Sequence, residues 1–441
     1  MKVVVGIDLG STTTKAVILD EETRVVGRGI TNSRSNYEVA SKIARQEAFV
    51  QARFNLTHDA IAEDPALAGV EERFLPLLGR KFRLRHHLAE LERLGEELHK
   101  AATVSRHESY GQELAAVVDE IVAAMTERAP KHFSALATRK SEFFRDLAAA
   151  DYMQLAEGLA DPKGINFEIL SGLFDQAILP VENSSSAEAL EQLIGEALDD
   201  ALAASEATMA ESSDPLRQAV EKARAIRLEE IITVGTGYGR QRLPFPKEQI
   251  RSEILCHGLG AHTMFPNTRT VLDIGGQDTK AIQVDDDGIV TSFQMNDRCA
   301  AGCGRYLGYI ADEMNLGVHE LGPLAQKSTC HVKINSTCTV FAGAELRERL
   351  SLGQKREDIL AGLHRAIILR AMSLLARSGG IDEEFTFTGG VARNPAAVHA
   401  LETLIDENYG DRKLNISAES IYTGALGAAL FAHRGVQREV A

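Results

Sequence analysis

The chain has 441 residues, a formal net charge of −15 at pH 7 and an ordinary hydrophobic share of 44%. This length allows two or three domains, and the acidic excess argues against nucleic acid or an anionic membrane as a partner. We see no apolar run long enough to span a bilayer and no signal peptide, so we expect a cytoplasmic protein. An odd number of cysteines, five, indicates thiols rather than a disulfide framework.

The first predicted element is an apolar strand that ends at Asp8, followed by a polar turn and a second apolar strand. The turn and the start of the second strand supply Gly10, Ser11, Thr12, Thr13 and Lys15. Such a hairpin suits a nucleotide, because small residues let the backbone approach phosphates, hydroxyls and amides bind phosphate oxygens, and the aspartate faces magnesium. A plain hairpin with a polar turn is the alternative at this point.

Helical spacing replaces the strand pattern between about residues 38 and 227. One apolar stripe runs from Leu84 to Leu98 and another from Leu114 to Met125. We therefore predict three segments: 1–37 as the first part of an α/β domain, 38–227 as a helical insertion, and 228–441 as the remainder of that domain. We expect the insertion to serve assembly, since its stripes carry no convergent set of catalytic groups.

The strand pattern returns at Glu230, and Thr270–Val284 repeats the design of the first hairpin. A strand ends at Asp273, the turn carries Gly275, Gly276 and Gln277, and a Thr-Lys pair opens the next strand. An internal repeat of a phosphate-binding hairpin is a stronger signal than either copy alone. Near the C-terminus another strand leads into the turn Gly389-Gly390 and a helix start.

Two cysteines have matching settings. Cys299 follows the strand-like run Ile289–Phe293 and precedes a predicted helix, Tyr306–Met314, while Cys338 follows the strand-like run Val332–Ile334 and precedes another helix. Thiolates are stabilised near helix N-termini, where backbone N–H groups lack internal partners. A four-iron cluster needs four thiolates, so two ligands per chain imply that two chains share one cluster.

The remaining cysteines are interpreted differently. Cys303 lies one helical turn beyond Cys299 and could reach the same place, but we interpret it as a small buried side chain. Cys256 and Cys330 are expected to be core or boundary thiols. Their settings at predicted helix starts make Cys299 and Cys338 the candidate metal ligands.

The hairpin motifs resemble those of the actin, chaperone and sugar-kinase superfamily. The carriers are Asp8-Leu9-Gly10-Ser11-Thr12, Asp273-Ile274-Gly275-Gly276 and Thr388-Gly389-Gly390. The resemblance implies an α/β, actin-like ATPase fold in which two related domains clamp ATP. It also implies that Asp8 and Asp273 face Mg²⁺ and that Gly389 and Gly390 admit the adenine ring. The phosphates would be lined by Ser11, Thr12, Thr13, Lys15, Gly275, Gly276 and Gln277.

The cysteine segments narrow the resemblance. They are similar to those of the activators of 2-hydroxyacyl-CoA dehydratases and of the ATPase subunits of benzoyl-CoA reductase. The whole resemblance covers about residues 1–36 and 228–435, and it gives the role of cluster ligand to Cys299 and Cys338. The stand-alone activators lack a helical insertion, so the resemblance favours the larger ATPase subunit of benzoyl-CoA reductase. A dehydratase activator is the alternative, and a sugar kinase of the same fold is a third possibility.

The implied function couples ATP hydrolysis to low-potential electron transfer from reduced ferredoxin. The electron would pass through a 4Fe-4S cluster shared with a smaller homologous ATPase subunit, and separate catalytic subunits would reduce benzoyl-CoA to a cyclohexadiene-carboxyl-CoA. Phosphoryl transfer itself needs positioning, magnesium and an oriented water, and Gln277 is the candidate for orienting it. The final electron acceptor stays open at this stage.

Overall fold

A computed structural model describes the chain outside residues 34–35, 104–110, 136, 138–143, 184–186, 207–211, 238–244, 297–302, 331, 335–338 and 441. In these ranges the strands are β1 Lys2–Leu9, β2 Thr13–Leu19, β3 Val25–Asn32, β4 Glu229–Gly237, β5 Thr270–Ile274, β6 Thr279–Val284, β7 Val290–Asn296, β8 Glu384–Thr388 and β9 Lys413–Asn415. The helices are α1 Tyr37–Ala62, α2 Glu71–Thr103, α3 Gly111–His132, α4 Phe144–Lys163, α5 Phe167–Asn183, α6 Ala187–Glu206, α7 Ser213–Ala225, α8 Glu253–Met264, α9 Gly304–Met314, α10 Val318–Ala325, α11 Thr339–Ser351, α12 Arg356–Ser378, α13 Pro395–Tyr409 and α14 Thr423–Val440.

The chain divides into two compact units. The first comprises Met1–Ala52 and Arg227–Ala441, and the second comprises Arg53–Ile226. The first unit contains two β-sheets, with strand orders β3-β2-β1-β4 and β7-β6-β5-β8-β9. Strands β1 and β5 are the corresponding inner strands, each paired antiparallel with the next strand and parallel with a later one.

The two sheets repeat each other residue by residue at the hairpins. Asp8 lies opposite Lys15 across β1 and β2, and Asp273 lies opposite Lys280 across β5 and β6. On the parallel side, Asp8 pairs with Thr236 and Asp273 pairs with Thr388. The internal repeat seen in the sequence is therefore a structural repeat with the same register in both copies.

Helices cover the faces of the sheets where small residues permit close approach. Helix α14 packs on β1, where a side chain at Gly6 would collide with the backbone of Ala425 and Ala429. The first half of α1 packs on the same sheet, where a side chain at Gly29 would collide with the carbonyl of Ala44. This half of α1, which we assigned to the insertion from sequence, thus belongs to the first unit, because its alanines pack directly on β3.

Helix α12 is long and apolar enough, by length and composition, to span a membrane, contrary to our expectation that the chain has no such run. It is the one such helix in the described ranges. Its side chains Ile359, Leu363 and Ile367 are buried in one core with Leu272 and Phe387 of the second sheet. The helix therefore has the packing of a core helix.

The second unit is entirely helical in its described residues, as the apolar stripes predicted. Leu91, Leu94 and Leu98 of α2 are buried against Leu114 and Val118 of α3. The guanidinium of Arg85 on α2 binds Glu196 and Asp200 of α6, at 2.6 Å from Asp200 Oδ2. Burial of the stripes supplies the main stabilisation of these helices, which charged pairs at the surface supplement.

Candidate nucleotide site

The two hairpins face one cavity of about 860 Å³ in the first unit. Every catalytic and nucleotide-binding residue predicted from sequence lines it: Asp8, Gly10, Ser11, Thr12, Thr13, Lys15, Asp273, Gly275, Gly276, Gln277, Gly389 and Gly390. The two polar turns meet directly, since a Cβ at Gly276 would lie 2.5 Å from Thr12 Cγ2. The volume is within the range of small-molecule sites, roughly 300–1,000 Å³.

Asp8 has the features of a cation-facing carboxylate. It is 2% exposed, and its Oδ1 atom has no hydrogen-bond partner in the described part of the chain. Its other oxygen lies 3.8 Å from Lys15 Nζ, which is too long for a hydrogen bond. A buried carboxylate oxygen without a partner is costly, so the site suits a ligand that brings positive charge.

Asp273 is fully engaged by its neighbours. Its Oδ1 accepts a hydrogen bond from Thr388 Oγ1 at 2.8 Å, and its Oδ2 accepts one from Lys280 Nζ at 3.1 Å. Burial alone would raise the pKa of this carboxyl, but His257, Lys280 and Thr388 lower it below its ordinary value. Asp273 is therefore ionised at neutral pH and is held in a fixed orientation.

Lys280 is the centre of a buried charge network. Its ammonium lies 2.9 Å from Glu253, 3.1 Å from Asp273 and 2.9 Å from Asp278. Burial alone would lower the pKa of Lys280, but the facing carboxylates raise it well above its ordinary value. Burial raises the pKa of Asp278 above its ordinary value. The network therefore keeps Lys280 charged and fixes the three carboxylates in the wall of the cavity.

His257 lies between the two aspartates. Its Nδ1 is 3.5 Å from Asp273 Oδ1, and its side chain is 8% exposed. A Cβ added at Gly424 would lie 2.8 Å from both Asp8 Oδ2 and His257 Nε2, so these two atoms border the same small gap. The first two turns of α8 thus bring Glu253 and His257 to the junction of the two sheets.

The two glycines of the turn after β8 have different surroundings. Gly389 has a φ of +86°, and a side chain there would collide with the carbonyl of Ile274. Gly390 has nothing within 4 Å of its Cβ position and lines the cavity. Gly389 is needed for backbone geometry, whereas Gly390 leaves space inside the cavity, as expected for the residue that admits a base.

Several cavity residues were missed from sequence. Glu253 and His257 come from α8, Arg305 from α9, and His319 and Asn394 from α10 and the start of α13. These positions depend on how helices pack against the sheets. Lys280 was also missed, but the sequence contained a signal for it, because it occupies the position of Lys15 in the repeated Asp-turn-Thr-Lys pattern.

The predicted metal ligands Cys299 and Cys338 lie outside the described residues, so their geometry is not assigned. The helices that follow them, α9 and α11, contact each other. A Cβ at Gly343 would lie 2.5 Å from Tyr309 Oη, and one turn further along both helices Arg347 binds Glu313. The described residues contain no group of three or more His, Cys, Asp or Glu side chains able to hold a metal ion.

The other cysteines were predicted only in part. Cys256 is fully buried, and burial raises the pKa of its thiol to about 12. Cys303 is 1% exposed at the N-cap of α9, which agrees with a small buried side chain. Cys330 is exposed, contrary to our expectation, and lies in a surface loop where its backbone N–H donates to Asp358 Oδ1 at 3.0 Å.

Two repeated hairpins around one cavity define an ATPase with the actin-like fold. The sequence profile of the BadF/BadG/BcrA/BcrD ATPase family matches residues 5–432, and the chain belongs to this family. A solved structure of the activator of 2-hydroxyisocaproyl-CoA dehydratase from Clostridium difficile, with bound ADPNP, superposes with a TM-score of 0.53 and 23% identity. That alignment covers 100% of this chain and 98% of the other, and it supports the fold.

Two curated relatives distinguish branches of the family. The (R)-2-hydroxyglutaryl-CoA dehydratase activating ATPase of Acidaminococcus fermentans is 43% identical over 226 residues, covering 51% of this chain and 84% of that protein. One of the subunits of benzoyl-CoA reductase from Thauera aromatica is 31% identical over 212 residues, covering 47% of this chain and 72% of that protein. The chain is thus more similar to the dehydratase activator than to the reductase subunit.

Proposed function

We propose that this chain is an activator of a 2-hydroxyacyl-CoA dehydratase, which hydrolyses ATP to drive electron transfer into that enzyme. The observation that carries the proposal is the 43% identity over 84% of a dehydratase activating ATPase. From sequence we favoured benzoyl-CoA reductase, because of the helical insertion. The insertion contains none of the predicted site residues. The identity is higher to the dehydratase activating ATPase than to the benzoyl-CoA reductase subunit, so the comparisons favour the dehydratase activator.

The cavity residues fit ATP and magnesium. Asp8 contributes a buried oxygen without a partner, and Asp273 contributes an ionised carboxylate beside it. Ser11, Thr12, Thr13 and Lys15 face the phosphates from one hairpin, and the turn Gly275–Gln277 faces them from the other. Gln277 orients the attacking water, and hydrolysis converts ATP and water to ADP and phosphate without a covalent intermediate on the protein.

The helix pair fits the proposed position of the metal cluster. Helices α9 and α11 begin at Gly304 and Thr339, and the segments containing Cys299 and Cys338 precede them directly. The N-terminus of each helix favours a thiolate ligand, because its first backbone N–H groups and the helix dipole stabilise negative charge. A 4Fe-4S cluster, when bound, supplies one-electron transfer at low potential. In this proposal two copies of the chain contribute two cysteines each.

The proposed partners follow from this chemistry. Reduced ferredoxin gives one electron, and the dehydratase accepts it in a reaction that we place in the cytoplasm. The ATPase component of benzoyl-CoA reductase is the second candidate, supported by the 31% identity to the Thauera aromatica protein. In that case a smaller homologous ATPase subunit would replace the second copy, and benzoyl-CoA-binding subunits would accept the electron.

The two candidates are separated by their electron acceptors. The protein is purified without air, and ATP hydrolysis and electron transfer are measured with a reductant and either a 2-hydroxyacyl-CoA dehydratase or the benzoyl-CoA-binding subunits. Asp8→Asn serves as the control that lacks ATP hydrolysis. We expect ATP-dependent activation of the dehydratase. Transfer only to benzoyl-CoA would favour the second candidate, and transfer to neither would contradict the proposed function.

A further inference from the structure

A chain of hydrogen bonds connects helix α12 with the wall of the nucleotide cavity. His364 of α12 is 1% exposed; its Nδ1 lies 2.7 Å from the Leu360 carbonyl oxygen, and its Nε2 lies 2.9 Å from Asn394 Nδ2. Asn394 lines the cavity where the turn after β8 leads into α13. Its Oδ1 accepts hydrogen bonds from the backbone N–H groups of Ala396 and Ala397, at 3.0 and 3.3 Å. A buried histidine is thus bonded to the residue that caps α13 in the cavity wall.

The two ends of this chain fix the direction of every hydrogen bond in it. A carbonyl oxygen only accepts, so the proton on the His364 ring is at Nδ1. The N–H groups of α13 only donate, so the Asn394 amide turns its oxygen towards them and its NH2 group towards the ring. Nε2 then accepts from this NH2 group, and the neutral ring satisfies every partner. Burial favours the same form, because it lowers the pKa of His364 to about 4.

The amide also holds one turn of the cavity wall. This turn, a short 3₁₀ helix at Gly390–Arg393, directly precedes Asn394. The backbone N–H of Asn394 donates to the Val391 carbonyl at 3.0 Å, which closes the turn on the residue that His364 binds. Helix α10 packs against the same amide, since a Cβ at Gly322 would lie 2.6 Å from Asn394 Oδ1. A change in the orientation of the amide would therefore alter both the turn and the cap of α13.

We propose that His364 is a positioning residue of the nucleotide site, which acts by holding the Asn394 amide and the preceding turn in the geometry that binds ATP. Among the described residues that line the cavity, Asn394 is the one that the ring binds, so the effect of the ring passes through it. The two phosphate hairpins belong to other elements, so the ring acts on ATP affinity more than on the hydrolysis of bound ATP. This inference rests on the nucleotide site of the proposed function, not on its electron acceptor.

Substitutions at His364 separate its acceptor atom from its bulk. Calorimetry gives Kd for ATP, and hydrolysis gives KM and kcat, for the wild type, His364→Leu, His364→Gln and Ile367→Ala. His364→Leu leaves the Asn394 NH2 group without its acceptor, so Kd and KM should rise by about threefold to tenfold while kcat changes little. His364→Gln supplies an amide oxygen in place of Nε2 and should keep both within about twofold of the wild type. Ile367→Ala removes a buried side chain of the same helix and should lower stability without raising KM.

Asn394→Asp tests the contact from its other end while the cap of α13 is kept. The new carboxylate accepts from α13 but cannot donate to Nε2, so the contact returns only when His364 takes up a proton. Described charged side chains make no contribution to the pKa shift of the ring in the wild type, so the added carboxylate is the new charge that it meets. The ATP affinity of this variant, relative to the wild type, should improve as the pH falls from about 8 to about 6. The ratio for Ile367→Ala should stay constant.

Three results would overturn the positioning role. They are a wild-type KM in folded His364→Leu, an equal rise of KM in His364→Gln and His364→Leu, and an affinity ratio for Asn394→Asp that does not change with pH. If His364→Leu does not fold, the pH response of Asn394→Asp decides. A wild type that binds ATP but does not activate the dehydratase would refute the proposed function and leave this inference standing, whereas a wild type that binds no ATP would refute both.

Discussion

Replacing Lys280 with Met should strongly destabilise the second sheet. The side chain is 2% exposed, and its ammonium lies 2.9–3.1 Å from three carboxylates. Removing one partner of a buried ion pair typically costs about 3–5 kcal/mol, since the remaining charge is buried without compensation. Three carboxylates are left in this case, so we expect a loss at the upper end of that range at pH 7.

The structural repeat supplies a matched control. Lys15 occupies the corresponding position in the first hairpin, but its side chain is 15% exposed and lies 3.8 Å from one carboxylate, Asp8. Lys15→Met should therefore lower the free energy of unfolding by no more than about 1 kcal/mol. Hydrogen exchange of peptides from β5 and β6 reports the opening free energy of the second sheet, whether or not the two units of the chain unfold together.

Two further measurements sharpen this test. Adding Glu253→Gln to Lys280→Met should restore part of the stability, since fewer carboxylates remain uncompensated. The penalty should also shrink as the pH falls, because burial raises the pKa of Asp278 and this carboxyl then takes up a proton. Equal protection of β5 and β6 in the Lys280 and Lys15 variants at pH 7 would refute the reasoning.

Three other predictions concern the site and its support. Asp8→Asn should reduce magnesium-dependent ATP hydrolysis by at least about tenfold without unfolding the protein; full activity in the folded variant would exclude Asp8 from the site. Gly389→Ala should lower the free energy of unfolding by about 2 kcal/mol or more, because of its positive φ and the collision with the Ile274 carbonyl. Gly390→Ala should keep the stability of the wild type but weaken ATP binding. Equal effects of the two variants on stability and on ATP binding would contradict this distinction. His364 has its pKa lowered to about 4 by burial, so between pH 6.5 and 4 the unfolded state binds the extra proton and stability falls by up to about 3 kcal/mol. Urea titrations of His364→Gln should show a correspondingly smaller loss over that range, and an unchanged pH profile would refute the assignment.

The repeated hairpins were predictable because their signals are local. Each consists of an apolar strand ending in Asp, a glycine-containing turn and a second strand with Lys, and the register places Asp273 opposite Lys280 as Asp8 lies opposite Lys15. The actin-like fold expected from these motifs is confirmed. Glu253 and Arg305 had no local signal, since their place in the cavity depends on helices packing against both sheets.

Local pattern also misled at one point. Val332–Ile334 was predicted to be a strand, but the structure has no strand at these three residues. Neighbouring helices use the backbone there: Arg349 donates to Lys333 O, and Gly362 of α12 packs against the carbonyl of Val332. Tertiary contacts therefore replaced the ladder hydrogen bonds that a β-branched run would otherwise favour.

The central claim is that two chains share one 4Fe-4S cluster. Its most direct test is the iron content of the protein purified without air. Two cysteine ligands per chain predict about two iron atoms per chain, four per pair of chains, with the absorbance of a 4Fe-4S cluster. Cys299→Ser and Cys338→Ser should each lose the iron while ATP still binds, and Cys303→Ser should keep most of it. A full cluster in both the Cys299 and Cys338 variants, or its loss only in the Cys303 variant, would contradict the account.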